Sequence, residues 1–226
     1  RSRADIDEVL APVVTELSAD YHVRDERRRQ RALIMVSKQD HCLVDLLYRQ
    51  GTGELPIEIP IVVSNHSDAA HHAARYGVRF EHLPVTPDIK AQQEQRLLEF
   101  IDEHSIDFII LARYMQILSP AACARLAGRA INIHHSFLPG FKGARPYHQA
   151  FRRGVKLIGA TCHYVTSELD AGPIIEQDVV HVSHRDTVDD MVRIGRDLEK
   201  IVLARAVYHH VHHDLLVYEN RTVVFD

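Results

Sequence analysis

The residues best suited to chemistry lie in two stretches, Ile131-Asn132-Ile133-His134-His135-Ser136-Phe137-Leu138-Pro139 and Leu169-Asp170-Ala171-Gly172-Pro173-Ile174-Ile175. In an extended strand successive side chains alternate between faces, so Asn132 and His134 share one surface while Ile131 and Ile133 point into a core. Transfer or hydrolysis of an acyl group passes through a tetrahedral intermediate whose oxygen carries developing negative charge. An amide N–H from Asn132 and an N–H from protonated His134 can donate to that oxygen. A carboxylate such as Asp170 would favour the charged imidazole and orient an attacking nucleophile. Taken alone, an Asn and a His at a strand end equally suit hydrogen-bonded anchoring of a loop. The joint pattern with Asp170 tips the reading toward catalysis.

The elements that must position these groups follow from the hydrophobic patterning. From Arg31 onward, apolar runs alternate with amphipathic stretches in the way a parallel sheet with covering helices does. Strands are expected at Ala32 to Val36, Ile59 to Val63, Val78 to Leu83, Phe108 to Leu111 and Ala130 to Ile133. Between them, Asp40 is placed to cap a helix carrying Leu43, Leu46 and Leu47, and Ser67 to cap an Ala-rich segment ending at Tyr76. Pro87-Asp88 opens a long helix to about His104, and Ser119-Pro120 starts another with Pro at its first position. Beyond the motif strand, His148 to Gly154 reads as a short helix, with strands at Leu157 to Val165 and Ile174 to Val182 bracketing Asp170. A closing helix runs from Thr187 to about Val211, and a hairpin over Leu215 to Phe225 turns at Glu219-Asn220. The expected class is α/β: an open, mostly parallel Rossmann-like sheet with helices on both faces and the motif strand in its interior.

Composition excludes several functions. With 226 residues, 46% hydrophobic and 26% charged, the chain has the make-up of a globular protein with one sizeable core. A net charge of −4 argues against a nucleic-acid partner. The basic run from Arg24 to Arg31 is interrupted by Asp25 and Glu26 and reads as a solvated connector. No apolar stretch approaches a bilayer span, and Arg1-Ser2-Arg3 leads into acidic residues rather than a signal-peptide core, so no membrane partner is expected. Three unclustered cysteines, Cys42, Cys123 and Cys162, fit a reducing cytoplasm.

The first two dozen residues stand apart. Ile6, Val9, Leu10, Val13, Val14 and Leu17 recur at helical spacing, Tyr21-His22-Val23 reads as a short strand, and residues 25–30 form a polar linker to a catalytic domain over residues 31–226.

Several ordered motifs carry a family resemblance: Ile131 to Pro139, Gly143-Ala144-Arg145-Pro146-Tyr147-His148-Gln149-Ala150, Ile158-Gly159-Ala160-Thr161-Cys162-His163-Tyr164-Val165, Leu169 to Gln177, and Asn220-Arg221-Thr222. Together they resemble the formyltetrahydrofolate deformylases, part of the formyltransferase fold family that also contains glycinamide ribonucleotide transformylases. The likeness spans about residues 30 to 226, and several motifs in order outweigh one short match. The resemblance implies hydrolysis of 10-formyltetrahydrofolate to formate and tetrahydrofolate, supplying formate and balancing one-carbon pools for purine synthesis. It implies no cofactor beyond the folate substrate, and a homo-oligomer. It also implies that residues 1–24 are the remnant of an ACT-like α+β regulatory domain.

Carried onto this sequence, the resemblance makes Asn132, His134 and Asp170 catalytic, with His163, His135 and Ser136 in support. His135 stands where transferases of the family commonly have proline, which suggests a part in holding the hydrolytic water. Ser136 suits the turn that follows. The resemblance implies that Met115, Ile117, Leu118 and Val165 line the folate, while Gln116 replaces a basic residue that the family often carries. Ribonucleotide transformylases place a glycine-rich, phosphate-cradling loop after the first strand. Here that place reads Ser37-Lys38-Gln39-Asp40-His41-Cys42-Leu43, without glycine, which favours water as the acceptor over the transformylase alternative.

The remaining alternatives come from another class. The 17 histidines include His209, His210, His212 and His213, with His209 and His213 at the i, i+4 spacing that can chelate a metal. No acidic third ligand singles the cluster out in the sequence, so no metal is expected. A folate-binding protein without turnover is a second alternative, opposed by the intact Asn132, His134 and Asp170.

Overall fold

Runs of Ile, Val and Leu with no polar interruption can only be buried on both faces, and here they form the centre of one sheet. The computed structural model describes residues 3–19, 21, 23, 25, 27–140 and 145–225. Its seven-stranded sheet comprises β1 (Gln30–Val36), β2 (Ile57–Ser64), β3 (Arg79–His82), β4 (Phe108–Leu111), β5 (Ala130–His134), β6 (Leu157–Tyr164) and β7 (Ile174–His181), in the order β3-β2-β1-β4-β5-β6-β7. The pairings from β3 to β5 are parallel, and β6 and β7 add antiparallel strands. The remaining elements are α1 (Arg3–Leu17), α2 (His41–Thr52), α3 (Ala70–Arg75), α4 (Lys90–Glu103), α5 (Pro120–Arg125), α6 (Pro146–Arg153), α7 (Val188–His212) and the hairpin β8 (Leu215–Tyr218) and β9 (Arg221–Val224).

Alternation along the strands divides the core in two. Ile34, Ile110, Ile131 and Ile133 face one side and pack with Leu43, Leu47, Val202 and Val207 from α2 and α7. Leu33, Ile109, Leu111 and Ala130 face the other and pack with Leu97, Phe100 and Leu126 from the α4 and α5 side. The sheet is therefore open, mostly parallel and covered on both faces, and β5 is interior as expected.

Three local expectations give way. Asp40 occupies the position before α2 without capping it through its side chain, because that carboxylate accepts from His72 Nε2 at 2.8 Å instead. Ser67 does not cap α3, which starts at Ala70 after Ala69; the Ser67 carbonyl accepts from the Ala70 N–H within a preceding turn. Pro87-Asp88 precedes α4 by a turn, and the helix begins at Lys90. Ser119 does cap α5, its hydroxyl accepting from the Ala122 N–H ahead of Pro120. Thr187 and Asp190 form a reciprocal capping box at α7.

At the N-terminal end, α1 forms, with Val9, Val13 and Leu17 exposed. His22 of the expected Tyr21-His22-Val23 strand lies outside the described residues, and neither Tyr21 nor Val23 is in a strand. Arg24 and Glu26 of the connector also lie outside them. The connector's Arg28 pairs with Asp107 at 2.8 Å, so this basic segment is tied to the sheet by charge. Among the described residues no helix is long and apolar enough to cross a membrane.

Candidate active site

Asn132 and His134 leave the same face of β5, and the structure brings Asp170 to them from the loop between β6 and β7. His134 Nδ1 lies 3.2 Å from Asp170 Oδ1, with both side chains nearly buried. His163, paired with Asn132 across the β5–β6 ladder, completes the group: its Nε2 is 3.2 Å from Asn132 Nδ2 and 3.8 Å from Asp170 Oδ1.

The partners assign roles to the ring nitrogens. His163 Nδ1 donates to the Tyr164 carbonyl at 2.8 Å, and burial holds this imidazole below its ordinary pKa. Neutral, it presents a lone pair on Nε2 that accepts one amide N–H of Asn132, leaving the other N–H free to donate. Burial pushes the Asp170 carboxyl upward, but the hydrogen bond and charge of His134 outweigh it and hold the group below the usual carboxylate range. His134 Nε2 is buried with no hydrogen-bond partner among the described residues. A buried polar atom left unpaired beside a charge-stabilised carboxylate is where a substrate atom would be bound.

Close packing fixes the Asp170 loop. Asp170 itself has φ 54°, a left-handed conformation that Asp tolerates better than most residues. Two residues on, Gly172 presses against β6 so tightly that a Cβ there would sit 1.8 Å from the Tyr164 carbonyl oxygen. The C-terminal hairpin clasps the same loop: Asn220 Nδ2 donates to the Ala171 carbonyl at 2.8 Å, and the Thr222 hydroxyl donates to the Ile174 carbonyl. That contact accounts for the tail motif.

The other sequence-predicted residues divide. Ser136 donates through its hydroxyl to the Gly140 carbonyl at 2.8 Å, as suits a turn. His135 follows the strand alternation to the opposite side, its ring centroid 6.0 Å from that of Tyr147. Burial first, then the Arg113 charge, pull its pKa down to about 3. Leu118 and Val165 pack on the core beneath the Asn132 face. Met115 and Ile117 are more than half exposed, and Ile117 lines a cleft with Leu118, Val85, Gln93, Tyr114 and Gln116. Gly143 and Ala144 of the second motif lie outside the described residues.

Three positions escaped the sequence reading. Thr161, fully buried, donates through Oγ1 to the Ser136 carbonyl and accepts from the Leu138 N–H and from Gln177 Nε2, holding the segment that leaves β5. Glu199 and Tyr147 form a second polar centre: the carboxylate, 1% exposed, accepts from Tyr147 Oη at 2.6 Å and from His41 Nε2 at 2.8 Å, with Arg113 Nε 3.3 Å away. The signal was present, since a carboxylate on the apolar stripe of Met191, Leu198, Val202 and Ala206 needs a buried partner.

The His209 to His213 cluster is not arranged as a chelate. His213 ends α7 in a left-handed conformation with Nε2 3.0 Å from Gln30 Nε2, while His209 lies between Glu176 and Asp214 at 3.9 and 3.6 Å. The group of ligand-type atoms that does gather among the described residues is His41, Cys42 and Glu199, within 4.8 Å of one another. The Arg113 guanidinium beside it, and a Cys42 thiol pushed upward by burial, oppose a dication there.

Comparisons with known proteins bear on this geometry. Residues 30–207 match the family model described as formyl transferase. A formyltetrahydrofolate deformylase of Synechocystis sp. is 50% identical over 224 residues, covering 99% of this chain and 78% of that protein. The crystal structure of a formyltetrahydrofolate deformylase from Pseudomonas syringae pv. tomato superposes with a TM-score of 0.97 at 50% identity, over 100% of this chain and 76% of that one. A glycinamide ribonucleotide transformylase from Symbiobacterium toebii superposes with a TM-score of 0.84 at 27% identity, over 91% of this chain and 99% of its own.

Proposed function

Because this chain belongs to the formyltetrahydrofolate deformylases within the formyl transferase family, we propose that it hydrolyses 10-formyltetrahydrofolate to formate and tetrahydrofolate. The observation that carries the reading is the group of Asn132, His134, His163 and Asp170, with His134 Nε2 buried and unpaired among the described residues.

The chemistry follows from the geometry. Asp170, ionised through its contact with His134, accepts a proton from water as the water oxygen bonds to the formyl carbon. Asn132 and His134 Nε2 donate to the oxygen that becomes negative, a contribution typically worth about a hundredfold or more in rate. The C–N10 bond then breaks as the proton held by the His134–Asp170 pair returns to N10, and formic acid leaves, giving up its remaining acidic proton to water to become formate. Proton transfer within that pair is a property of both groups together. Neutral His163 keeps Asn132 turned toward the reacting carbon. Ser136 and Thr161 hold the turn after β5, and His135 supports the strand end by packing on the Tyr147 side.

Met115, Ile117, Leu118 and Val165 form the apolar wall for the pterin and benzoyl rings. No cofactor beyond the folate is required by these steps. The same reading assigns the protein to one-carbon metabolism in the cytoplasm, supplying formate and tetrahydrofolate around purine synthesis, and to a homo-oligomer. Residues 1–24 are assigned to the end of an ACT-like unit, a reading supported by the uncovered apolar face of Val9, Val13 and Leu17.

The test is formate release from 10-formyltetrahydrofolate with and without glycinamide ribonucleotide. Hydrolysis independent of the amine is expected. Formyl transfer in place of formate release would overturn the proposal.

A further inference from the structure

The loop that carries Asp170 is fastened residue by residue, and from two sides. On the side of β6, a Cβ on Gly172 would lie 1.8 Å from the Tyr164 carbonyl oxygen, and the Pro173 carbonyl accepts from the Tyr164 N–H at 2.9 Å. On the side of the C-terminal hairpin, the Ala171 carbonyl accepts from Asn220 Nδ2 at 2.8 Å and the Ile174 carbonyl from the Thr222 hydroxyl. With the Asp170 carboxylate on His134, each residue from Asp170 to Ile174 is held by a partner outside the loop.

The hairpin itself is lightly held. β8 and β9 form a two-stranded sheet separate from the main one, a unit of marginal stability in water. Leu215 at its base packs on the core, while Leu216, Tyr218, Val223 and Phe225 are exposed, so little apolar burial fixes its tip. The turn pairs Tyr218 with Arg221 across Glu219 and Asn220. Glu219 takes a left-handed φ of 53°, and Asp170, across the contact, one of 54°. Side chains disfavour that conformation, which persists where the surroundings over-determine it. The bond from Asn220 to the Ala171 carbonyl joins the two turns at the residues next to these strained ones.

We propose that Asn220 and Thr222 are positioning residues for catalysis: through them the hairpin tip holds the Asp170 loop in the shape that keeps the carboxylate on His134. Without these two donors the loop is fastened on the β6 side only, and Asp170 spends part of its time away from His134. A misplacement of about 1 Å at a reacting group can cost about a hundredfold in rate. The consequence for turnover rests on the hydrolase reading given above; the fastening of the loop does not.

The experiment compares the full chain with Asn220→Ala, Thr222→Val and the double variant, by steady-state formate release and by amide hydrogen exchange over residues 170–174. In the double variant kcat is expected to fall roughly tenfold or more, with KM within about twofold of wild type, because the proposed folate wall of Met115, Ile117 and Leu118 comes from the segment after β4. Exchange in the loop should quicken roughly tenfold. Thr222→Ser, which keeps the hydroxyl, should recover the activity that Thr222→Val loses. If the double variant does not fold, each single variant carries the same comparison with a smaller effect. A folded variant with wild-type kcat would overturn the proposal, whether or not its melting temperature falls, and so would loop exchange at the wild-type rate. Absence of formate release from wild type would fail the hydrolase reading instead, and the exchange rates would still decide whether the hairpin holds the loop.

Discussion

His134 and His135 are adjacent in sequence, chemically identical and both nearly buried, yet the strand sends them into opposite worlds. His134 faces Asp170 at 3.2 Å with its other nitrogen unpaired among the described residues. His135 faces Tyr147 and the Arg113–Glu199 centre, with burial and the Arg113 charge drawing its pKa down to about 3. The difference shows that the chemistry of an imidazole is set by which face of β5 it leaves and what the other elements bring to that face.

The largest effects should follow from damage to the His134 side. Asp170→Asn keeps the shape but removes the base, and kcat for formate release should fall by at least roughly a hundredfold with the fold intact by circular dichroism. Near-normal turnover would remove Asp170 from the mechanism. Gly172→Ala attacks the same face through the backbone, because its Cβ overlaps the Tyr164 carbonyl. Denaturant titration should show a loss of about 3 kcal/mol, together with lower turnover as Asp170 is displaced. Wild-type stability and kcat would mean that the loop position does not depend on this contact.

The His135 side should register in stability against pH. Its folded pKa of about 3 lies below the ordinary 6.5, so the unfolded chain takes up the proton first. The stability associated with neutral His135 is complete above pH 6.5 and lost progressively as pH falls from 6.5 toward 3. His163, also held low by burial, adds to the loss in the same direction. Asp170 behaves oppositely in origin: its lowered pKa contributes stability above 3.8 that disappears only below that value. His135→Gln should therefore flatten the dependence between pH 6.5 and 4 by up to about 1.4 kcal/mol per pH unit, with a much smaller effect on kcat than Asp170→Asn. An unchanged slope would show that His135 takes up its proton normally in the folded state.

The smallest effect belongs to a site remote from both imidazoles. Thr187→Ala removes the hydroxyl that caps α7 and should cost about 1 kcal/mol without altering kcat. A fall in kcat would mean that α7 controls the catalytic face from its far end.

Much of the architecture was legible because it is written in local patterns. The apolar runs at Ala32 to Val36 and Phe108 to Leu111, the Ser119-Pro120 start and the Thr187 start report burial and capping, which neighbours in sequence decide. The Asp40 and Ser67 caps failed for the converse reason: Asp40 found His72, a partner 32 residues away that no local rule anticipates. The closing helix was read over nearly its full length while Glu199 within it passed unnoticed, since its partners come from α2, α6 and the end of β4.

The sequence by itself determined the alternation of strands and helices, the common face of Asn132 and His134, and family membership through its ordered motifs. Period and motif order are properties of the chain, independent of how distant segments meet. The tertiary structure alone decided that Asp170 and His163 converge on that face, that the C-terminal hairpin clasps the Asp170 loop, and that Glu199 meets His41, Arg113 and Tyr147. Those juxtapositions depend on Gly172 lying against Tyr164, on Gly195 admitting Tyr147 and on the crossover from β3 through α4 that sets β4 beside β1. Contacts of that kind between distant residues exist only once the layers have packed.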